Sequence, residues 1–183
     1  GDQAMAAWFQ ATTPRSAGFN TVDTGAMTDA SAVYTMLLML IGGGSMSTAG
    51  GIKLGTFIVL LVATYAFLRR REHVTLLNRT VPQELVMKAL AVTLVTLTLM
   101  FLGIFILMIL NPLPFIDITF EVLSASATVG LSRGITAEVT AASQLVLVFL
   151  MFAGRVGPLT LAYFLATPRK RHIRFPETDI QVG

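Results

Sequence analysis

The sequence contains no cysteine among its 183 residues, and only two histidines and one tryptophan. The absence of cysteine excludes a disulfide framework and thiolate chemistry. Charged residues make up only 13% of the chain, against about 25% in an average soluble domain. Because 54% of the residues are hydrophobic, the composition predicts an integral membrane protein.

A secretory signal peptide is also missing. The chain begins at Gly1 and runs directly into an apolar stretch over residues 3–13, with no charged segment or cleavage site before it. Since Gly1 is not an initiator methionine, we expect a fragment or a processed piece of a longer protein. His73 and His172 stand alone in basic segments, so no metal site is predicted.

Three long apolar runs occupy residues 31–68, 88–110 and 143–166. The last two match the length of one transmembrane helix each, about 20 residues. The first run is too long for one crossing, because a continuous helix would measure about 57 Å against a bilayer core of about 30 Å. Its middle, residues 41–53, is rich in glycine, which disfavours helix. We therefore predict a broken transmembrane helix whose central loop is buried or lines a water-filled path.

The charges predict an orientation. Basic residues cluster between the first two runs and after the third, so the positive-inside rule places these segments in the cytoplasm. The opposite segments, residues 1–30 and 111–142, carry six acidic residues and two arginines. An acidic outer mouth would concentrate cations, although ordinary topogenic bias is the alternative. The basic clusters flank predicted spanning helices, which favours a role in topology or contact with anionic lipid over nucleic-acid binding.

The chain contains a repeat with an offset of 112 residues, which relates Gly18 to Gly130 and Gly42 to Gly154. Each copy has a short apolar helix, a loop of small residues and a descending helix. Because the run at 88–110 returns the chain to the outer side, both copies have the same direction. We predict an all-α membrane protein with repeated, parallel helix–re-entrant pore loop–helix units. Inverted copies would instead favour a secondary transporter whose broken helix binds a small solute at the midplane.

This interpretation divides the chain into four parts. Residues 1–68 form the pore helix, filter and broken second helix of one unit, and residues 69–87 form a cytoplasmic linker. Residues 88–167 form a complete second unit, and residues 168–183 form a cytoplasmic tail.

Two short loops at matched positions of the repeat are candidate ion-binding segments. Residues 128–131 are similar to the Thr-Val-Gly-Tyr-Gly filter of potassium channels, whose backbone carbonyls replace the hydration shell of the ion. Glycine permits the backbone turns that such a loop needs. Taken alone, each segment is also compatible with a plain turn after a short helix. The candidate filter residues are Ser16, Ala17, Gly18, Phe19, Thr128, Val129, Gly130 and Leu131.

Arg155 lies near the middle of the third apolar run, where a charge costs about 2.5–3.5 kcal/mol. We expect it to face the bundle interior, either as a barrier to cations below the filter or as a hydrogen-bond donor to the glycine-rich loop. Lys53 has a similar interpretation, or anchors the start of a helix. The candidate gating residues are Gly42, Gly43, Gly44, Ser45, Ser47, Thr48, Gly50, Gly51, Lys53 and Arg155.

A membrane-embedded enzyme would require a nucleophile with a base nearby. No histidine, cysteine or acidic residue lies in the predicted spanning helices. We therefore predict that the chain is not an enzyme.

Four segments resemble the Trk/Ktr/HKT superfamily of potassium transporters, and its KtrB/TrkH-like pore subunits in particular. They are residues 15–21, 42–53, 127–131 and 154–160, and the most specific is Gly-Gly-Gly-Ser-Met-Ser-Thr-Ala-Gly-Gly-Ile-Lys at 42–53. The resemblance covers essentially the whole chain. It implies the C-terminal half of a subunit that folds as four helix–pore-loop–helix repeats around one pore.

The resemblance also implies a function. It implies uptake of potassium, or of another monovalent cation such as sodium, across the bacterial cytoplasmic membrane, with no cofactor in this chain. The two short loops would supply half of a selectivity filter, residues 42–51 an intramembrane gate, and Arg155 the pore-facing arginine of the family. Such subunits form homodimers and are controlled by a cytoplasmic nucleotide-binding ring of the KtrA/TrkA type.

Overall fold

A computed structural model describes residues 8–9, 12–14, 24–43, 50–71, 73–76 and 79–157 of the chain. The first candidate filter loop, the middle of the glycine-rich loop and the C-terminal tail lie outside the described residues. The site predictions that fall there are those for Ser16, Ala17, Gly18, Phe19, Gly44, Ser45, Ser47 and Thr48.

Five helices have both ends in the described part of the chain. They are α1 (Asp29–Leu40), α2 (Leu54–Leu68), α3 (Gln83–Leu110), α4 (Phe115–Ser126) and α5 (Ala141–Val156). A short antiparallel ladder pairs β1 (Thr75–Leu76) with β2 (Arg79–Thr80), and a 3₁₀ turn at Ile135–Ala137 precedes α5. The predicted all-α fold is confirmed.

The first apolar run forms two separate helices, α1 and α2, as predicted. Ile41 and Ile52 form a parallel bridge between the two ends of the glycine-rich loop. The N–H of Gly42 donates to the carbonyl of Ile52 at 2.9 Å, and the N–H of Ile52 donates to the carbonyl of Leu40 at 3.1 Å. These bonds satisfy backbone groups that would be costly to leave open inside a membrane.

The helices α1 and α5 begin with the same cap. Thr28 and Thr140, which are 112 residues apart, are their N-cap residues. Each hydroxyl accepts from the backbone N–H of a serine three residues later, Ser31 or Ser143, at 3.4 Å in both cases. A threonine at this position satisfies an N–H that the helix itself leaves open. The matched caps support the predicted repeat at these two helices.

The short helix α4 is the centre of the packing. One buried cluster joins it to α1, and another joins it to α3 and α5. The two clusters are Ala32, Met36, Met39, Phe120, Ala127, Val129 and Leu131, and Leu107, Ile118, Val122, Ile135, Val139, Leu147 and Leu150. Since α4 has only 12 residues, its position depends on the longer helices around it.

The outer faces of α2 and α3 are apolar and open. Phe67 on α2 is 81% exposed, and Phe101 and Ile109 on α3 are also strongly exposed. Among the described residues, α3 is the one helix long and apolar enough to cross a membrane, while α1, α2 and α5 are shorter apolar helices. These faces suit contact with lipid.

The linker predicted for residues 69–87 is shorter in the structure. Pro82 is the N-cap residue of α3, so the last five residues of the predicted linker are helical. Proline is tolerated at the start of a helix because the N–H that it lacks would have no helical partner there. Glu84 in the first turn also complements the positive end of the helix dipole.

The prediction of one continuous helix over residues 143–166 is wrong at its C-terminal part. The helix α5 ends at Val156, and Gly157 follows with φ of +91°. A glycine in the left-handed region commonly ends a helix, and Pro158 disfavours helical backbone in the residue before it. Arg155 therefore lies in the last turn of a helix rather than in the middle of one.

Candidate functional site

The helix α4 ends in the loop that the sequence predicts as a filter. The N–H groups of Thr128 and Val129 donate back to the carbonyls of Ala125 and Ser124, at 3.1 and 2.9 Å, which is the pattern of a Schellman cap. Thr128 and Gly130 have φ values of +54° and +87°. A β-branched residue in this conformation is a strained exception.

The hydroxyl of Thr128 has a partner far away in the chain. Its Oγ1 accepts from the backbone N–H of Gly50 at 3.0 Å. Gly50 lies at the end of the glycine-rich loop, next to Gly51 with φ of +76°. The contact joins the candidate filter to the candidate gate. It also gives a reason for a threonine at a position where glycine would be less strained.

Two glycines allow other backbone segments to touch the end of α4. A Cβ on Gly50 would lie 2.9 Å from the carbonyl oxygens of Ser126 and Ala127, and a Cβ on Gly154 of α5 would overlap the carbonyl oxygen of Ser126. The loop also closes on itself, because a Cβ on Gly42 would overlap the carbonyl oxygen of Gly50. The structure therefore brings together the gate, the end of α4 and α5.

The remaining filter residues differ in their surroundings. Val129 and Leu131, like Ala127 just before the loop, are buried in the cluster between α1 and α4. Gly130 is exposed, and a Cβ there would meet no atom within 4 Å. The side chains thus hold the loop in the core while the backbone at Gly130 faces open space.

Ser132, the residue after the candidate filter, is held by several hydrogen bonds. Its carbonyl accepts from the hydroxyl of Thr24. Its Oγ accepts from the N–H of Gly134 at 3.0 Å and lies 2.8 Å from the Oγ1 of Thr136. The hydroxyl of Thr136 in turn donates to Oε1 of Glu121, which is only 6% exposed.

The sequence predicts that acidic residues on the outer side form a cation-attracting mouth. In the structure, two of these residues are engaged, because Glu121 is buried and Asp117 has a cationic partner. Nε of Arg133 lies 2.7 Å from Oδ1 of Asp117, an ion pair whose angle falls outside hydrogen-bond geometry. A second nitrogen of Arg133 lies 3.9 Å from Oδ1 of Asp29 at the start of α1. The arginine therefore binds acidic residues from both copies of the proposed repeat.

Asn111 joins the end of α3 to the start of α5. Its Nδ2 donates to the carbonyl of Leu107 at 2.9 Å and to Oγ of Ser143 at 2.7 Å, and its Oδ1 accepts from the N–H of Thr140 at 2.9 Å. Buried side-chain amides need such partners. These bonds hold the end of α3 against the start of α5.

The predicted gating cations lie at two helix ends. Lys53 is half-buried and is the N-cap residue of α2, which agrees with the anchoring interpretation. Arg155 is exposed in the last turn of α5, next to the close contact that Gly154 makes. The carbonyl of Gly43 accepts from the N–H of Leu54 at 3.3 Å, so it ties the loop to the start of α2.

The sequence did not reveal the roles of Thr24, Glu121, Thr136 and Asn111. A signal existed for Glu121, because Asp117 and Glu121 are four residues apart in a short apolar helix and share one face. Within the described ranges, no three His, Cys, Asp or Glu side chains are grouped so that they could hold a metal ion.

Apolar helices that bury irregular loops at the end of one short helix are typical of membrane transport proteins. The sequence model of the family "TrkH: Cation transport protein" matches residues 1–173. The chain belongs to this family of cation transport proteins.

Named relatives agree with the family. The chain is 45% identical to "Ktr system potassium uptake protein B" of Bacillus subtilis over 182 residues and 43% identical to the protein of that name from Vibrio alginolyticus over 183 residues. It is 37% identical to "Potassium/sodium uptake protein NtpJ" of Enterococcus hirae. These alignments cover 100%, 100% and 96% of the chain but 41%, 40% and 41% of the relatives. The relatives are named as uptake proteins rather than as enzymes.

Proposed function

We propose that the chain forms the C-terminal half of a membrane pore for potassium uptake. The names of the relatives support potassium as the ion, with sodium as a second candidate for this family. Because the chain spans about two fifths of those relatives, the remaining part of the longer protein would complete the pore. In this proposal, residues 1–68 and 88–167 are two of the pore-forming units.

The conformation of residues 128–131 carries the proposal. Positive φ at Thr128 and Gly130 allows the backbone of this loop to turn its carbonyls toward a passing ion. Gly130 faces open space while Val129 and Leu131 are anchored in the core. In addition, the C-terminal end of α4 presents the negative end of a helix dipole beside the loop, which favours cations.

The same proposal makes the glycine-rich loop a gate beneath the filter. Gly50 donates to Thr128, so a change in the loop reaches the filter directly. Arg155 lies beside the contact between Gly154 and Ser126, a suitable position for a positive charge that opposes cation passage. We infer that the loop and Arg155 together limit the flux.

The proposed setting is the bacterial cytoplasmic membrane. The basic linker before α3 and the C-terminal tail lie in the cytoplasm, as the positive-inside rule requires. Two of the relatives are named as parts of a Ktr system, which supports assembly with further subunits. We propose a homodimer of the full-length protein, controlled by a cytoplasmic nucleotide-binding ring.

The experiment that tests this function is growth rescue. The full-length protein is expressed in bacteria that lack potassium uptake, with and without the regulatory ring subunit, at limiting potassium. We expect growth to be restored and saturable potassium uptake to appear. Normal abundance in the membrane without growth or uptake in either case would contradict the proposal.

A further inference from the structure

Glu121 is a buried carboxylate for which the pore proposal has no use. It lies on α4, where the neighbouring Phe120 and Val122 are fully buried. Its Oε1 accepts from Thr136, and its Oε2 has no hydrogen-bond partner among the described residues. Leaving a carboxylate in such surroundings is costly unless it is retained for a purpose.

Glu121 lies beside the filter rather than at the protein surface. It lines a cavity of about 340 Å³ together with Thr128, Gly130, Ser132 and Thr136. The cavity therefore has the filter backbone on one part of its wall and the carboxylate on another. The hydroxyl groups of Thr136 and Ser132 connect the carboxylate to the residue that follows the filter.

The directions of these hydrogen bonds follow from the carboxylate. Because Thr136 donates its only hydroxyl proton to Glu121, its Oγ1 is left to accept from the hydroxyl of Ser132 at 2.8 Å. The Oγ of Ser132 is then free to accept from the N–H of Gly134. Each donor is polarised by the one before it, which strengthens the chain of bonds.

The chain of bonds also reaches the other copy of the proposed repeat. Thr24, the counterpart of Thr136 at the offset of 112 residues, donates to the carbonyl of Ser132. The carbonyl of Ser132 is therefore engaged, whereas the carbonyls of residues 128–131 accept no backbone hydrogen bond from the described part of the chain. Two related threonines thus hold one serine at the outer end of the filter.

We propose that Glu121 is a positioning residue that sets the geometry of the outer filter and thereby its selectivity for potassium. The inference rests on the proposed function, because it assigns residues 128–131 to a filter. The carboxylate aligns Thr136 and Ser132, and Ser132 sets where the backbone of Leu131 and Gly130 lies. Glu121 acts through these residues and does not touch the ion.

The test measures potassium and sodium uptake by the full-length protein. It also measures the potassium concentration that gives half-maximal uptake, the maximal flux and the amount of protein in the membrane. Glu121→Gln keeps the shape but removes the charge that orients Thr136. We expect the preference for potassium over sodium to fall roughly tenfold, because the neutral amide accepts a weaker hydrogen bond from Thr136 than the carboxylate does. Abundance should stay within about twofold, because the amide still offers polar partners.

Three further substitutions keep the test decisive if Glu121→Gln does not fold. Thr136→Val removes the hydroxyl and should lower selectivity in the same way, whereas Thr136→Ser should restore it. Glu138→Gln changes the charge by the same amount at an exposed residue of the same loop and should leave selectivity unchanged.

The result that overturns the inference is a wild-type preference for potassium in both Glu121→Gln and Thr136→Val. A loss of abundance and maximal flux with an unchanged ion preference would also overturn it, since that is the pattern of a purely structural residue. Gly130→Ser in the same assay separates the two proposals. If Gly130→Ser changes the ion preference and the other two variants do not, only the role of Glu121 fails.

Discussion

The backbone N–H of Gly50 lies 3.0 Å from the hydroxyl oxygen of Thr128, although 78 residues separate them in the chain. This hydrogen bond connects the loop proposed as a gate with the first residue proposed as part of the filter. Thr128 adopts a left-handed conformation with φ of +54°, which is unfavourable for a β-branched residue. The local strain and the long-range contact therefore occur at the same residue.

Thr128→Val should raise the flux of the full-length protein. Valine has nearly the same shape and the same backbone preference, but it cannot accept the hydrogen bond from Gly50. If that bond holds the gate closed, its loss should raise potassium flux by roughly fivefold, which corresponds to about 1 kcal/mol. The measurement is uptake of potassium per protein molecule in the membrane.

Thr128→Ser is the matched control for this change, because serine keeps the hydroxyl. Its flux should stay close to that of the wild type. A flux for Thr128→Val that is unchanged or lower, at normal abundance, would show that the bond to Gly50 does not restrain the gate.

The close approach of α5 to α4 predicts a difference between two glycines. Gly154→Ala would force its methyl group against the carbonyl oxygen of Ser126, and overpacking of this kind costs about 1–3 kcal/mol or more. At Gly103 the nearest atom is 2.7 Å away but belongs to the flexible side chain of Leu150, and alanine favours helix by about 1 kcal/mol.

Thermal unfolding of the purified protein in detergent would compare the two variants. Gly154→Ala should lower the unfolding midpoint clearly, while Gly103→Ala should change it little. Equal midpoints would mean that the contact between Gly154 and Ser126 can relax at low cost.

Most of the helices could be predicted from the sequence, because apolar runs and the glycines between them are local signals. The break between α1 and α2 follows from the length of the run and from residues 41–53 alone. The end of α5 was missed although Gly157 and Pro158 signal it, because the apolar run beyond them suggested a continuous helix. The bond between Gly50 and Thr128 could not be predicted, since it depends on how distant segments pack.

The hydrogen bonds of Asn111 predict that shortening its side chain lowers the stability of the protein. Asn111→Ala would leave the hydroxyl of the buried Ser143 and the N–H of Thr140 without the amide. An unsatisfied buried group costs about 1–3 kcal/mol. Thr119→Ala is a suitable control, because the hydroxyl of the half-buried Thr119 donates to the carbonyl of Phe115 in its own helix. The unfolding midpoint of Asn111→Ala should be the lower of the two.

The position of Arg155 predicts an increase in flux when its charge is removed. Arg155→Ala should raise potassium uptake by roughly tenfold, since about 1.4 kcal/mol of barrier changes a rate by that factor. Arg155→Lys keeps the charge and should stay closer to the wild type. Reduced uptake in Arg155→Ala, with normal abundance, would count against a barrier and favour a purely structural arginine.

The charged side chains show what the sequence can and cannot reveal about the site. Acidic residues on one side of the membrane suggested an open, cation-attracting mouth. In the structure, Asp117 pairs with Arg133, and Glu121 binds a hydroxyl in the core. Their partners come from the loop after the filter, 16 and 15 residues later, so the pairing depends on the path of that loop rather than on helical spacing.

The most direct measurement is the ratio of potassium to sodium uptake in two glycine variants of the full-length protein. Gly130 and Gly134 both have positive φ, +87° and +99°, and neither has an atom within 4 Å of the space a Cβ would take. Serine therefore introduces similar backbone strain at each site, of order 1–3 kcal/mol, but only Gly130 belongs to the proposed filter.

We predict that Gly130→Ser lowers the preference for potassium over sodium roughly tenfold, a change that about 1–3 kcal/mol of local strain can produce. Gly134→Ser should retain most of this preference. A wild-type ratio in Gly130→Ser, or an equal loss in Gly134→Ser, would contradict the assignment of residues 128–131 as an ion-selective loop.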